Sequence, residues 1–208
     1  MDGPIVVAQT NFFIQHGLHK RGPLNLGWQH QMEHMPVAVG EIGLDYFVTK
    51  DNREKQIYFF TEQLKLADMH QLPVILHVRN AIDDVLKYVR KSKPKGGIAH
   101  AFNGSLQQAE QFIELGFKLG FGGAMTYERA LKIRDLAKKL PLDAIVLETD
   151  APDIPPAWLG KNSKNTPAEL PKIAQILAEI RGVKVAEIHE ISRLNTQRVL
   201  TKIVKLCT

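Results

Sequence analysis

Cysteine is almost absent from this 208-residue sequence: Cys207, next to the C-terminus, is the only one. No disulfide framework can form within one chain, which suits a reducing compartment. Long apolar runs are missing too, and none approaches the roughly 18 residues of a membrane span. Met1-Asp2-Gly3-Pro4 lacks the basic and then apolar regions of a secretory signal. The expectation is a cytoplasmic protein with no membrane partner. Neither sign of charge dominates, with 27 Lys+Arg against 22 Asp+Glu and a formal net charge of +5. Such a balance is compatible with a polyanionic partner such as nucleic acid but does not demand one. One compact ligand motif occurs, His30-Gln31-Met32-Glu33-His34, which fits the H-x-x-E-H pattern of inverted zinc peptidases. Its flanks, Gly27-Trp28 and Met35-Pro36, leave little room for a long buried helix, so the peptidase reading is set aside.

What the chain does have is a set of short apolar runs that end on polar side chains. Val37-Ala38-Val39-Gly40 leads to Glu41, Val74-Ile75-Leu76 to His77, Gly97-Ile98-Ala99 to His100, and Ile145-Val146-Leu147 to Glu148-Thr149-Asp150. Each run is rich in β-branched or small residues and reads as a strand of a buried parallel sheet. A (β/α) barrel builds its active site from residues at the C-terminal ends of such strands. Two imidazoles and two carboxylates, Glu41, His77, His100 and Asp150, suit a divalent metal, with Zn, Mn and Mg all open.

The text between these runs alternates strand and helix. Strands are expected at 37–42, 73–78, 97–101, 117–123 and 144–149. Helices are expected at about 52–70, 81–91, 106–115, 127–139, 167–181, 184–190 and 192–206. Ile57, Phe60, Leu64, Ala67 and Met69 should share one face of the first helix. Ser105 looks like an N-cap and Gly116 a C-cap. A loop rich in Pro, Asn and Lys spans roughly 151–166, a length often tied to function. The composition and length favour one domain over 1–208, with 1–36 as an atypical N-terminal segment holding one weak strand, Ile5-Val6-Val7-Ala8. A full eight-stranded barrel typically needs roughly 250 residues. The fold class is therefore α/β, a TIM-type (β/α) barrel that is incomplete.

Four motifs then carry a resemblance. Gly40-Glu41-Ile42-Gly43-Leu44-Asp45-Tyr46, Pro73-Val74-Ile75-Leu76-His77-Val78-Arg79, His100-Ala101-Phe102-Asn103-Gly104-Ser105 and Leu147-Glu148-Thr149-Asp150-Ala151-Pro152 resemble, in order, signatures of the TatD-type metal-dependent deoxyribonucleases. Within that family the chain looks closest to the YjjV-like branch. The resemblance implies an amidohydrolase-type TIM barrel, monomeric in the family, that binds divalent metal and cleaves DNA phosphodiester bonds with activated water. It implies that Glu41, His77, His100 and Asp150 are metal ligands. Glu41 would bridge two metals, and Asp150 would take a proton from the attacking water, so these two are the catalytic candidates. Arg79 and Asn103 are candidates for the substrate phosphate.

The family pattern also opens with a strand ending in His-x-His. The eight histidines here, at 16, 19, 30, 34, 70, 77, 100 and 189, include no such pair. Gly17-Leu18-His19-Lys20 is at best an echo of the family's later Gly-Leu-His-Pro segment. The chain thus reads as a member whose first two to three β/α units are missing or rearranged. It should bind at most one divalent ion with useful affinity, with weak nuclease activity or none. Two alternatives stand beside it: a metal-dependent hydrolase of esters or amides, and a non-catalytic truncated pseudoenzyme. An open barrel would expose sheet edges and favour oligomerisation.

Overall fold

The computed structural model of the chain describes residues 36–47, 52–160 and 163–202. Five strands alternate with helices along the chain. In order they are β1 (Val39–Asp45), α1 (Arg53–Met69), β2 (Val74–Arg79), α2 (Ile82–Ser92), β3 (Gly97–Ala99), α3 (Leu106–Glu114), β4 (Phe117–Phe121), α4 (Leu131–Lys139), β5 (Ile145–Leu147), α5 (Leu170–Arg181) and α6 (Val185–Val199). The strands form one sheet in the order β1-β2-β3-β4-β5, and every neighbouring pair is parallel. This is the arc of a TIM-type (β/α) barrel, not closed among the described residues. The weak strand at 5–8, the histidine-rich segment 30–34 and the Gly17–Lys20 segment lie outside those residues.

Alternation along each strand sorts its side chains onto two faces. Val74, Leu76, Ala99, Phe117, Leu119, Phe121, Ile145 and Leu147 join one buried apolar cluster. Helix residues complete it, among them Phe60 and Leu64 of α1, Val85 and Val89 of α2, Phe112 of α3, and Ile173 and Leu177 of α5. The opposite face carries a smaller cluster of Ile98 and Val146, with Leu200 and the flanking Ala38 and Val199. Two positions beyond Ile98 and Val146, His100 and Glu148, the residues directly after β3 and β5, continue that face to the sheet's C-terminal rim.

Helix boundaries follow local chemistry. The face expected on α1 buries Phe60, Leu64 and Ala67, but Met69, the last residue of the helix, is 73% exposed. Ser105 caps α3 through a capping box with Gln108, as its sequence suggests. The C-cap is Leu115, one position before the expected Gly116, which follows it in the left-handed region at φ 82°. The helix expected at 127–139 begins only at Leu131, after a 3-10 turn at Gly123–Thr126. The two helices expected at 184–190 and 192–206 are one continuous helix through Val199. Nothing near Glu190-Ile191-Ser192 breaks the backbone, since no Gly or Pro stands there.

Candidate metal centre

Glu41 reaches the site because β1 is irregular at that residue. Gly40 pairs with Ile75 and Ile42 with Leu76, so the strand register skips Glu41. The bulge shifts the alternation: Val39 is buried before it and Ile42 and Leu44 after it. A bulge re-aims the side chain it carries, and here the result is a carboxylate on the site side.

His77 stands on β2 next to Leu76 and faces away from the helix layer. β1 approaches it closely through Gly43 (φ 154°), where a Cβ would lie 1.8 Å from the His77 carbonyl oxygen. His100 follows β3 directly, and its backbone N–H donates to Leu76 O. Nδ1 of His77 and Nε2 of His100 face each other at 3.2 Å. Glu41 Oε2 lies 3.4 Å from the same His100 nitrogen. All three ligand atoms lie within 4.8 Å of one another. A tetrahedral ion with bonds of about 2.0–2.1 Å holds its ligands about 3.3 Å apart, so these two separations fit a divalent cation. Burial holds the His100 imidazole below the usual histidine pKa; the Glu41 charge opposes that shift and His77 adds to it. The neutral ring that results keeps a lone pair for a metal.

Asp150 stands apart from that trio. Its Oδ1 is 3.8 Å from His100 Nδ1, on the ring edge that faces away from Glu41. The residue adopts a left-handed backbone at φ 52°, an uncommon state for a non-glycine residue and one that clusters at functional sites. The loop after it is pinned by the buried Asn165, whose Nδ2 donates to Thr149 O at 2.7 Å and to Asp153 O. Arg79 is at the rim, with its guanidinium 3.7 Å from the centre of the Phe47 ring and 3.9 Å from Asp45 Oδ2. Asn103 is exposed, and its carbonyl oxygen accepts from Lys132 Nζ at 2.9 Å.

Two carboxylates that the motifs contain, but that sequence reasoning left without a role, also belong to the site. Asp45 Oδ2 is 3.4 Å from His77 Nε2. Glu148 lies under Gly120, where a Cβ would come within 2.3 Å of Oε2, and Glu148 Oε1 accepts from the Ala101 N–H. Burial pushes the Glu148 carboxyl up to about 8; the Ala101 N–H opposes the rise, and the charges of Asp150 and Glu41 add to it. The signal for Glu148 was the small Gly120 on the neighbouring strand, a long-range match that no local period displays.

A family model described as TatD related DNase matches residues 26–201. The chain belongs to the TatD-related DNase family. It is 44% identical over 172 residues to a protein of Escherichia coli K12 described as the uncharacterized metal-dependent hydrolase YjjV, covering 81% of this chain and 66% of that one. It is 36% identical over 169 residues to the 3′-5′ ssDNA/RNA exonuclease TatD of a Rahnella strain, covering 78% of this chain and 64% of that protein. The crystal structure of E. coli YjjV superposes with a TM-score of 0.77 at 42% identity, over 82% of this chain and 67% of that one. The chain thus spans about two thirds of the length of these TatD-family relatives. The match supports both the metal-dependent hydrolase class and the barrel fold. Among the described residues, no helix is long and apolar enough to cross a membrane.

Proposed function

We propose that Glu41, His77 and His100 hold one divalent cation, and that the chain uses it to hydrolyse phosphodiester bonds of nucleic acid. The observation that carries this reading is the convergence of three ligand atoms within 4.8 Å of one another on the rim of a parallel sheet, two of their separations being 3.2 and 3.4 Å. A cation held there supplies Lewis-acid activation of water and charge stabilisation at phosphoryl oxygens. The residues supply the rest. His100 presents Nε2 as a neutral donor because burial disfavours its charged form. Glu41 contributes the negative charge that favours a cation over an anion. Asp150, whose Oδ1 lies 3.8 Å from Nδ1 on the far edge of the His100 ring, is our candidate for the proton acceptor. Arg79 and Asn103 line the rim, where a phosphate oxygen can meet a guanidinium or an amide. The exonuclease description of the Rahnella relative supports nucleic acid as the substrate class.

The test couples binding to cleavage. Titration of the chelator-treated chain with Mn²⁺ should show one tight ion per chain, and His100→Ala should weaken it by more than about 100-fold, beyond the loss typical of a supporting residue. Cleavage of a 3′-labelled single-stranded oligonucleotide should require Mn²⁺ and disappear in His100→Ala. Two tight sites would refute the single-ion reading. No uptake of Mn²⁺ would refute the centre itself, and Mn²⁺ uptake without oligonucleotide cleavage would refute the phosphodiester assignment.

A further inference from the structure

We propose that Asp45 is a positioning residue for the metal centre: it accepts a hydrogen bond from His77 Nε2–H, holding the proton there, and so presents the Nδ1 lone pair to the ion. The proposal rests on the reading of Glu41, His77 and His100 as the ligand trio.

The geometry assigns opposite ends of one ring to two tasks. Nδ1 of His77 points at His100 Nε2, 3.2 Å away, in the space shared with Glu41. Nε2 points the other way, 3.4 Å from Asp45 Oδ2. A neutral imidazole carries one proton, and the hydrogen bond at one nitrogen decides what the other offers. A carboxylate only accepts, so Asp45 selects the form with the proton on Nε2.

Asp45 is itself held from several sides. Its Oδ1 accepts from the Phe47 N–H at 2.8 Å. Its backbone N–H donates to Gln56 Oε1 at 2.8 Å, and its carbonyl oxygen accepts from Gln56 Nε2 at 2.9 Å. Gln56 belongs to α1, so the helix after β1 grips the strand end that carries Asp45. Arg79 Nη1 lies 3.9 Å from the same Oδ2. A side chain that only closed a turn onto Phe47 would need one carboxylate oxygen. The second oxygen, directed at His77, is what a turn does not account for.

The experiment uses the full ¹⁵N-labelled chain with Asp45→Ala and Asp45→Asn, each read in two ways. In metal-free protein, long-range imidazole ¹H–¹⁵N spectra report which His77 nitrogen holds the proton, and His77→Gln identifies the signal. Titration with Zn²⁺ alone reports affinity, and a thermal melt of each variant checks folding. Wild type should show the proton on Nε2. Asp45→Ala should lose that fixed signal and about 10–100-fold in Zn²⁺ affinity. Asp45→Asn, whose side-chain oxygen still accepts, should keep the signal and recover most of the affinity. Unchanged affinity in Asp45→Ala would overturn the proposal. Equal losses in both variants that track a fall in melting temperature would overturn it as well, leaving Asp45 a turn residue. Failure of the metal reading looks different: wild type would bind no Zn²⁺ while the Nε2 proton still depended on Asp45. That result would uphold the contact and remove the centre it serves.

Discussion

The two outer strands, β1 and β5, solve the same problem in different ways. Among the described residues each pairs with a strand on one side only, so its alternate N–H and C=O groups face away from the sheet. At β5 those groups meet α6. Ser192 Oγ accepts from the Leu147 N–H at 2.9 Å, and Asn195 Nδ2 donates to Ile145 O at 2.7 Å and Leu142 O at 2.9 Å. At β1 the match is the Gln56 amide of α1 on Asp45, at the C-terminal end of the strand beside the candidate site. Both devices let a helix side chain imitate a missing strand. The β5 device lies within the strand and fixes how a helix docks. The β1 device lies at the rim and fixes a carboxylate that faces a ligand, so edge repair and site support become one task there.

Breaking the β5 device should show the larger cost in stability and none in metal affinity. Asn195 is fully buried, and Asn195→Ala takes the amide donor from Ile145 O and from Leu142 O, the latter keeping the Ile145 N–H. Chemical denaturation should register a loss of about 2–3 kcal/mol, the upper part of the range for orphaned buried groups, with Zn²⁺ affinity unchanged in the folded fraction. Ser192→Ala orphans one N–H and should cost about 1–2 kcal/mol in the same measurement. The smallest stability effect belongs to β1. Water can replace part of a half-buried amide clamp, so Gln56→Ala should cost about 0.5–1 kcal/mol. It should nevertheless weaken Zn²⁺ binding several-fold, as Asp45 loosens behind His77. Loss of metal affinity in Asn195→Ala, or its retention in Gln56→Ala, would erase the contrast between the edges.

The sequence displayed some of this plainly and hid the rest for identifiable reasons. Five strands were legible because a parallel sheet buried on both faces reads as β-branched runs, and His77 and His100 stand where those runs stop. The Ser105 cap was legible because its partner Gln108 is three residues away. The bulge at Glu41 was not, since only the register against β2 reveals that the pairing shifts between Gly40 and Ile42. Asp45 and Glu148 sat inside quoted motifs without a role, because their partners are 32 and 47 residues distant. The long final helix was read as two because its burial is intermittent: Ile188, Asn195 and Thr196 are buried while most other positions are not. Asn195 and Ser192 are polar residues facing a strand edge, and a pattern that equates buried with apolar divides the helix there.

Strand order carries one more consequence, for the route by which the fold is reached. Each described strand pairs only with its immediate neighbours along the chain, and a helix bridges every gap. The loops to be closed are therefore short, and the entropy lost at each closure grows only slowly with length. Chains dominated by such local pairings fold faster than those that must join distant segments. The β1–α1–β2 unit can form while β5 is still being synthesised, and each later strand then adds to an edge that already exists. The Glu41–His77–His100 trio, drawn from β1, β2 and the residue after β3, can thus assemble before Asp150 has emerged.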